Sequence, residues 1–504
     1  MSPAERPHAG GGRGLTVLRG TLRLLSGQLA SKLLDMALLL LLARRLGVEA
    51  FGVLTYATSF TLIFNVVTDL GLTTVFTREV ARTPGRTREM LRSALRLKLA
   101  LVPVTLSLVL GTALVLRTPP ETLAMLAALT VAMSLGSLAG VYEGLLRAAG
   151  HPGRVGLALA AGSVSGLVVV ALAWNGGVSV WTAVGAQVIA QTVHALVASY
   201  SARAALRRDA VTADEGSPPA LGAFAMLRSA LPLALSWVFI ALYFRIDAVM
   251  LHTLKDSHAV GLYGGVYRIF EAFAMLTVGF RSVLFPLLAR AADGPAEGLA
   301  VLCRKSLRLQ ALFTVLVAVA FGAVAEPLLV FVLGPGYAAA APGLRVLLWA
   351  LPGSFMADLL LHVLVAQGRP SAGTWVVGVT AALNIALNLV LIPRLSFVGA
   401  AAATVVSEVV CLALLYRVVS RGVPGVGLGT LLARPLLAGG ATALALFVSV
   451  PHLPAGPWGV MLGLAVGTLV YGGALLASGG LGASDVAMVR GLLYRRAVRT
   501  GEVA

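Results

Sequence analysis

The residues of this chain that could do chemistry are charged side chains inside long apolar segments. Arg268 and Glu271 lie three positions apart within such a segment, in VYRIFEAF. An ionised side chain in the bilayer core costs about 2.5–3.5 kcal/mol on insertion scales, so such residues normally face a bundle interior or a wet cavity. A guanidinium matches phosphate oxygens bidentately and stays charged when desolvated. Arg268 is therefore predicted to bind an anionic, phosphate-bearing cargo, and mutual neutralisation with Glu271 is the structural alternative.

Three further basic residues in apolar segments are predicted to bind the same cargo: Lys32, Arg245 and Arg281. Lys32 and Asp35 share a helix face at a spacing of three, so an internal salt bridge is the alternative there. Arg245 and Asp247 lie two apart and cannot both face the same way, and snorkelling of Arg245 to the surface is the alternative. Arg281 lies nearer the cytoplasmic end of its segment, where it would receive the cargo first or snorkel.

Carboxylates inside the apolar segments are predicted to form charge pairs or to couple transport to an ion gradient: Asp35, Asp247, Glu271, Asp358 and Glu408. Asp358 and Glu408 lie deep in their segments and are expected to be unpaired. An unpaired carboxylate at mid-membrane can titrate or bind Na⁺, so the expected coupling ion is Na⁺ or H⁺. The lone histidines His194 and His362 are predicted to be packed or hydrogen-bonded. Asn384 and Asn388, four apart, are predicted to form helix–helix hydrogen bonds.

Composition places the whole chain in a membrane. The 504 residues are 58% hydrophobic and 12% charged, with a mean hydropathy of +0.91, whereas soluble domains carry roughly 25% charged residues. The net charge of +18 does not indicate a nucleic-acid partner, because the basic residues lie in short loops between apolar segments. Two cysteines cannot build a metal site, and the chain has no phosphate-loop motif, so neither a metal nor a cofactor is expected.

Helical spans account for nearly all of the chain. A span needs about 20 residues, and fourteen segments are long and apolar enough: 22–43, 51–77, 95–116, 122–146, 155–174, 180–202, 224–251, 259–288, 308–333, 343–366, 372–393, 398–419, 433–451 and 458–478. Basic residues concentrate in the loops that an internal N-terminus would leave in the cytoplasm, which predicts cytoplasmic termini in the cell (inner) membrane. Arg44 and Arg45 run against this rule.

The two halves of the chain repeat each other. Lys32 and Asp35 correspond to Arg245 and Asp247 at offsets of 213 and 212 residues. The predicted fold is an all-α polytopic membrane protein with about fourteen transmembrane helices. Two six-helix lobes are related by the repeat and followed by two extra helices. The predicted boundaries are 1–214 for the first lobe, 215–425 for the second, and 426–504 for the last two spans and a basic cytoplasmic tail.

Three stretches resemble the oligosaccharide flippase, or polysaccharide biosynthesis export, family. They are RRLGVEAFGVLTYA…TDLGLTTVFTREVA (44–81), RIDAVML…AVGLYGGVYRIFEAF…LFPLLAR (245–290) and LNIALNLVLIPRLSFVGAAAATVVSE (383–408). The family belongs to a superfamily that includes multidrug and toxin extruders and the lipid II flippase. The resemblance implies a polyprenyl-diphosphate-linked oligosaccharide as cargo, carried from the cytoplasmic to the outer leaflet of the lipid bilayer. It also implies polysaccharide synthesis enzymes as partners.

The predicted function is therefore a secondary transporter that works by alternating access of a cavity between two lobes. Two alternatives within the superfamily stay open: a multidrug cation antiporter, and the lipid II branch. The antiporter would favour a cavity of carboxylates and aromatic rings, whereas the deep charges here are as much basic as acidic. A membrane-embedded glycosyltransferase would need a larger loop or catalytic domain with acidic motifs, so an enzyme is not expected.

Overall fold

The computed structural model describes residues 11–208 and 222–480, and these residues form sixteen α-helices joined by short turns. No strand occurs in the two described ranges. The chain divides into two compact units, Met1–His252 and Thr253–Ala504. The predicted lobe boundary at residue 214 and the basic tail after residue 480 lie outside the described residues, and the predicted domain boundaries stay predictions.

The first unit is built from seven helices, the last of which runs two residues into the second unit. They are α1 (Gly11–Asp69), α2 (Leu72–Arg82), α3 (Thr87–Val115), α4 (Pro120–Ala148), α5 (Pro152–Leu172), α6 (Val180–Arg208) and α7 (Ala223–Leu254). Small residues allow α1 and α5 to cross closely: a Cβ atom added to Gly27 would lie 2.5 Å from the Cα atom of Gly156. One turn further on, the hydroxyls of Ser31 and Ser163 form a 2.7 Å hydrogen bond. Close backbone approach through small residues is the usual way that helices associate in membranes.

The second unit is built from nine helices. They are α8 (Ser257–Ala274), α9 (Leu276–Ala292), α10 (Ala296–Ala323), α11 (Ala325–Leu333), α12 (Ala341–Leu347), α13 (Ala350–Ala366), α14 (Pro370–Ser420), α15 (Leu428–Ser449) and α16 (Pro457–Ala477). An apolar cluster in this unit includes Leu307 of α10, Met356 and Leu360 of α13, and Leu412 of α14. This packing places α13 at the centre of the cluster, with α9, α10 and α14 around it.

The helices account for the predicted spans once two long helices are divided. Ten described helices are long and apolar enough to cross a membrane, or eleven if one bent pair is a single span. The 51 residues of α14 would reach roughly 75 Å if straight, more than twice the bilayer core. This helix breaks at Ser396 (φ 52°, ψ −135°), and the 59-residue α1 breaks at Gly47 (φ 75°, ψ 175°). With both divided, each of the fourteen predicted segments coincides with helical structure, which confirms the fold class.

Several predicted spans are not continuous helices. The segment 51–77 breaks where Leu70 and Gly71 adopt positive φ angles of 44° and 77°, because right-handed helix cannot continue through left-handed residues. The segments 308–333 and 343–366 are divided, at Val324 and before Ala350. In the segment 259–288, by contrast, Met275 between α8 and α9 keeps helical angles (φ −60°, ψ −24°). Hydropathy finds an apolar segment whether or not its axis bends, so these breaks were not predicted.

The asparagine pair of α14 joins the two parts of this broken helix. Asn388 Nδ2 donates to Asn384 Oδ1 at 2.9 Å, and Asn384 Nδ2 donates to Ser407 Oγ at 3.3 Å. Both asparagines are fully buried. Ser407 lies beyond the break at Ser396, so the prediction of helix–helix hydrogen bonds is confirmed.

Candidate functional site

Arg268 is a buried cation, and one of its hydrogen-bond donors has no acceptor. Asp256 caps the N-terminus of its helix, α8, because the Asp256 carboxylate accepts a hydrogen bond from the Ala259 N–H at 2.7 Å. Every residue of α8 from Ala259 to Phe270 is buried. Arg268 is 8% exposed. Its Nη1 donates to Glu271 Oε2 at 2.5 Å, which is the predicted pair, but its Nε has no hydrogen-bond partner. A buried donor without an acceptor is costly, and an anionic ligand would satisfy it.

Arg281 and Asp358 meet between α9 and α13. Arg281 Nη1 lies 3.7 Å from Asp358 Oδ1, and His362 Nδ1 lies 3.7 Å from Asp358 Oδ2. The expectation that Asp358 is unpaired is therefore wrong. The ion pair forms through tertiary packing, because α9 packs on α13 and brings together residues that are far apart in the sequence. His362 is hydrogen-bonded as predicted, with Nδ1 2.7 Å from the carbonyl oxygen of Asp358.

A small cavity adjoins this ion pair. Its polar lining consists of Arg281 of α9, Asp358 and His362 of α13, and Gln310 of α10. Its apolar lining includes Leu284 and Phe285. Gln310 is 2% exposed, and its Oε1 has no hydrogen-bond partner. The sequence analysis did not single out Gln310, although a lone amide inside an apolar helix is a signal of the same kind as a lone charge.

The remaining predicted residues of the second unit include Glu408, which is 4% exposed on α14. Its side chain lies directly against Gly353 of α13, where an added Cβ atom would come within 2.9 Å of the Glu408 Cβ atom. A side chain larger than hydrogen at position 353 would thus displace Glu408. The carboxylate position therefore depends on close packing of α13 against α14.

The predicted residues of α1 lie on the surface of the first unit. Lys32 and Asp35 are both exposed, and no ion pair joins these two described side chains. Asp35 instead interacts with Ser31 and Ser163, the two hydroxyls that join α1 to α5. The predicted salt-bridge alternative for Lys32 is therefore wrong, because Asp35 turns to the α5 side.

The predicted residues of α7 differ in burial. Arg245 is half-buried, whereas Asp247 is 3% exposed and accepts a hydrogen bond from the N–H of Ala248 at 2.8 Å. The two side chains do not share a face, as their spacing predicts. Their cargo and coupling roles stay predictions, as do those of the other candidate residues.

A buried network in the first unit escaped the sequence analysis. Lys98 of α3 is completely buried, and its Nζ donates to Asp69 Oδ1 (2.6 Å), Thr73 Oγ1 (2.8 Å), Ser137 O (2.6 Å) and Ser137 Oγ (2.9 Å). Lys98 follows a row of arginines in the sequence, and such a pattern predicts a basic cytoplasmic loop rather than a buried lysine. The structure makes it the centre of a junction between α1, α2, α3 and α4.

A second buried charge cluster lies on the same helix α4. Glu143 Oε2 accepts from Arg147 Nη2 at 2.5 Å, and Glu143 Oε1 lies 2.8 Å from His194 Nε2 on α6. The predicted hydrogen-bonded state of His194 is confirmed. Both acids of this region, Asp69 and Glu143, are thus held by basic partners within the first unit.

Arg45, which lies on the predicted outer side against the positive-inside rule, has a local partner. Its guanidinium carbon lies 3.7 Å from the ring centroid of Trp174, a cation–π geometry. This contact gives a structural reason for a positive charge beside the break of α1 at Gly47. Metal chemistry gains no support: the described ranges contain no group of three or more His, Cys, Asp or Glu residues that could hold a metal ion.

Comparison with known proteins agrees with the geometry. The family model "Polysaccharide biosynthesis protein" matches residues 17–292, and the model "MatE" matches residues 232–390. No curated protein sequence matches the chain.

Solved structures share the fold at low sequence identity. The lipid II flippase MurJ in an inward closed conformation aligns with a TM-score of 0.70 at 12% identity, covering 89% of this chain and 96% of MurJ. An inward-facing multidrug resistance transporter of the MATE family aligns at 0.65 and 16%, covering 77% of this chain and 93% of that one. A MOP superfamily transporter from Pyrococcus furiosus aligns at 0.54 and 16%, covering 82% and 99%.

These likenesses confirm the all-α transporter fold and a multi-pass membrane protein. The family match covers more than half of the chain and includes the helices that carry Lys32, Arg245, Arg268 and Arg281. The chain therefore belongs to the family described as polysaccharide biosynthesis protein.

Proposed function

We propose that the chain is a flippase that moves a polyprenyl-diphosphate-linked oligosaccharide from the cytoplasmic to the outer leaflet of the cell membrane. The observation that carries the proposal is Arg268, a buried guanidinium whose Nε lacks an acceptor after Glu271 has taken Nη1. A diphosphate supplies acceptor oxygens in the fork geometry that a guanidinium matches. The family described as a polysaccharide biosynthesis protein supports the saccharide head group.

In this proposal, basic residues at different depths hold the head group in turn. Arg281, which is 40% exposed, meets the diphosphate first and Arg268 holds it deeper. The cargo roles predicted for Lys32 and Arg245 are separate predictions for the first unit. The lipid tail stays in the bilayer. Alternating access moves the head group, and an ion gradient or consumption of the product gives direction. Both termini lie in the cytoplasm, and enzymes of polysaccharide synthesis supply and remove the cargo.

Two other cargoes belong to relatives of the same fold. The lipid II flippase would share the lipid diphosphate and differ in the head group, whereas a multidrug transporter would take cations. Arg268 favours an anion over a cation, because a cationic drug would repel it and leave Nε unsatisfied. The distinction between oligosaccharide and peptidoglycan precursor rests on the family match.

Equilibrium binding to the purified protein in lipid nanodiscs tests the proposal. The probes are a polyprenyl diphosphate carrying an oligosaccharide, lipid II, and a lipophilic cationic dye. We expect the oligosaccharide lipid to bind most tightly. We expect Arg268→Gln to weaken it at least about tenfold, since a hydrogen bond to a charged group contributes about 1.5–3 kcal/mol. Arg268→Lys keeps the charge and loses the fork, so its affinity should be intermediate.

The matched control is Arg290→Gln, which removes an exposed guanidinium from the last turn of α9 and should leave binding unchanged. Preferential binding of the dye, unaffected by Arg268→Gln, would assign the chain to cation export. Preferential binding of lipid II would keep the diphosphate site and change the head group.

A further inference from the structure

The starting observation is an unsatisfied acceptor next to an ion pair. Gln310 is 2% exposed, and its Oε1 has no hydrogen-bond partner. It lines the small cavity that Arg281, Asp358 and His362 also line. Buried polar atoms in native proteins are nearly always paired. Gln310 Oε1 is therefore an acceptor that no donor meets in this structure, although Arg281 also lines the cavity.

The polar groups around the cavity limit what such a donor can be. His362 Nδ1 lies 2.7 Å from the carbonyl oxygen of Asp358, and because a carbonyl oxygen only accepts, the hydrogen on Nδ1 is directed at that oxygen. The ionised carboxylate of Asp358 is an acceptor only. Once Asp358 takes up a proton, it becomes a donor on the same cavity as Gln310 Oε1.

Protonation of Asp358 also changes Arg281. In the structure Arg281 Nη1 lies 3.7 Å from Asp358 Oδ1, which is within ion-pair range but longer than a hydrogen bond. A neutral carboxyl loses the Coulombic attraction, so Arg281, with 40% of its side chain exposed, becomes available to another anion. Proton binding and anion binding are thereby linked through one guanidinium.

We propose that Asp358 binds a proton, that Gln310 accepts a hydrogen bond from the protonated carboxyl, and that proton binding releases Arg281 to the cargo diphosphate, so that acidity regulates cargo affinity. The inference deepens the proposed function and rests on it for the identity of the cargo. It names H⁺ rather than Na⁺, because a metal cation at this carboxylate would stand beside the positive charge of Arg281.

The electrostatic partners of Asp358 are His362 on its own helix and Arg281 on α9. From α10 the cavity receives the neutral Gln310, while Arg308 of that helix donates to the carbonyl oxygen of Gly480. The other helices that pack on α13 are α8, α12 and α14. Their charged residues are the Arg268–Glu271 pair of α8, Arg345 of α12, and Arg394, Glu408, Arg417 and the capping Arg369 of α14.

The linkage has a definite sign. If the diphosphate draws Arg281 away, Asp358 loses its compensating charge and binds a proton more readily. By reciprocity, a proton on Asp358 increases the affinity for the diphosphate by the same factor. Cargo binding should therefore take up a proton, and affinity should fall as pH rises through the titration of Asp358, by at most about tenfold per pH unit.

Infrared difference spectroscopy across a pH titration tests the proton site without any cargo. We expect wild type to show a protonated-carboxyl band that Asp358→Asn lacks. Gln310→Leu should shift the frequency of that band, because the carboxyl loses its acceptor. Gln367→Leu is the matched control, since Gln367 Oε1 is also buried and unpartnered but does not line this cavity. Identical spectra for wild type and Asp358→Asn would overturn the proposal.

Calorimetry with the oligosaccharide lipid in two buffers of different ionisation enthalpy tests the linkage. Wild type should take up a proton on binding, and Asp358→Asn should bind without uptake and without pH dependence. Binding by wild type with no uptake, or with Na⁺ substituting for acid, would overturn the proposal and leave the flippase intact. Absence of binding beside an intact Asp358 band would instead refute the cargo.

Discussion

At the scale of the residue, buried charges in this protein fall into two kinds that differ in hydrogen-bond satisfaction. Lys98 Nζ lies 2.6–2.9 Å from four acceptor oxygens in a fully buried position, so all three of its N–H donors are used to hold helices together. Arg268 is also buried but has an unpartnered Nε. The first pattern is that of a structural residue, and the second is that of a ligand-binding one.

Lys98→Met should destabilise the fold. Removing one partner of a buried ion pair costs about 3 kcal/mol or more, because the other charge remains. Here Asp69 would be left without Lys98, next to the break at Leu70 and Gly71. Thermal unfolding in detergent should show a lower transition temperature. Lys32→Met, which removes an exposed lysine, should leave the transition nearly unchanged.

The double variant Lys98→Met with Asp69→Asn separates a pair effect from a packing effect. If the ion pair carries the stability, the double variant should be less destabilised than the sum of the two single variants. Simple addition of the two losses would mean that Lys98 acts through its packing alone.

The sequence predicts which residue types lie in the membrane segments better than it predicts which residues they contact. The apolar setting of Arg268 and its spacing to Glu271 predicted their pair, since both lie on one helix. The Arg281–Asp358 pair and the Lys98 junction join different helices, and a single sequence contains no direct signal for such contacts. Gln310 gives a weaker signal in the sequence than a charged residue does, because burying an amide costs less free energy than burying a charge.

At the scale of the element, two helix breaks have similar backbone angles but are formed by different residue types. Gly47 and Ser396 both have positive φ with an extended ψ (75°, 175° and 52°, −135°), a region that only glycine adopts without strain. Glycine occupies the first break, whereas serine occupies the second. The second break must therefore be enforced by the packing of the two parts of α14.

Substitutions at these positions should have opposite signs. Ser396→Gly should stabilise the protein and Gly47→Ser should destabilise it, each by about 1–3 kcal/mol. An added Cβ atom at Gly47 would meet nothing within 4 Å, so backbone strain alone produces the second effect. Thermal unfolding of both variants measures it, and a loss of stability with Ser396→Gly would show that the Ser396 side chain has a stabilising role of its own.

Fourteen apolar segments predicted from hydropathy coincide with helices, because burying a span in lipid requires every backbone group to be bonded within the segment. Their breaks were not predictable in the same way. Leu70 has a positive φ although leucine gives no such signal.

At the scale of the whole molecule, the distribution of basic residues predicts the orientation. Cysteine labelling with a membrane-impermeant maleimide tests it in intact cells. Asn175→Cys, in the exposed turn between α5 and α6, should react from outside. Arg88→Cys, at the exposed start of α3, should react only after permeabilisation.

The native Cys303 and Cys411 are buried and serve as the unreactive background in the parent protein. Labelling of Arg88→Cys in intact cells, with Asn175→Cys protected, would invert the predicted topology and with it the direction of transport.

The most direct test of the central claim is transbilayer movement of a fluorescent polyprenyl-diphosphate oligosaccharide in proteoliposomes. We predict movement with wild type, none in protein-free vesicles, and a strong loss with Arg268→Ala in protein that still unfolds cooperatively. Undiminished movement with Arg268→Ala would show that Arg268 is structural. No movement with wild type, together with uptake of a cationic dye, would contradict the account of this protein as a flippase for an anionic lipid-linked cargo.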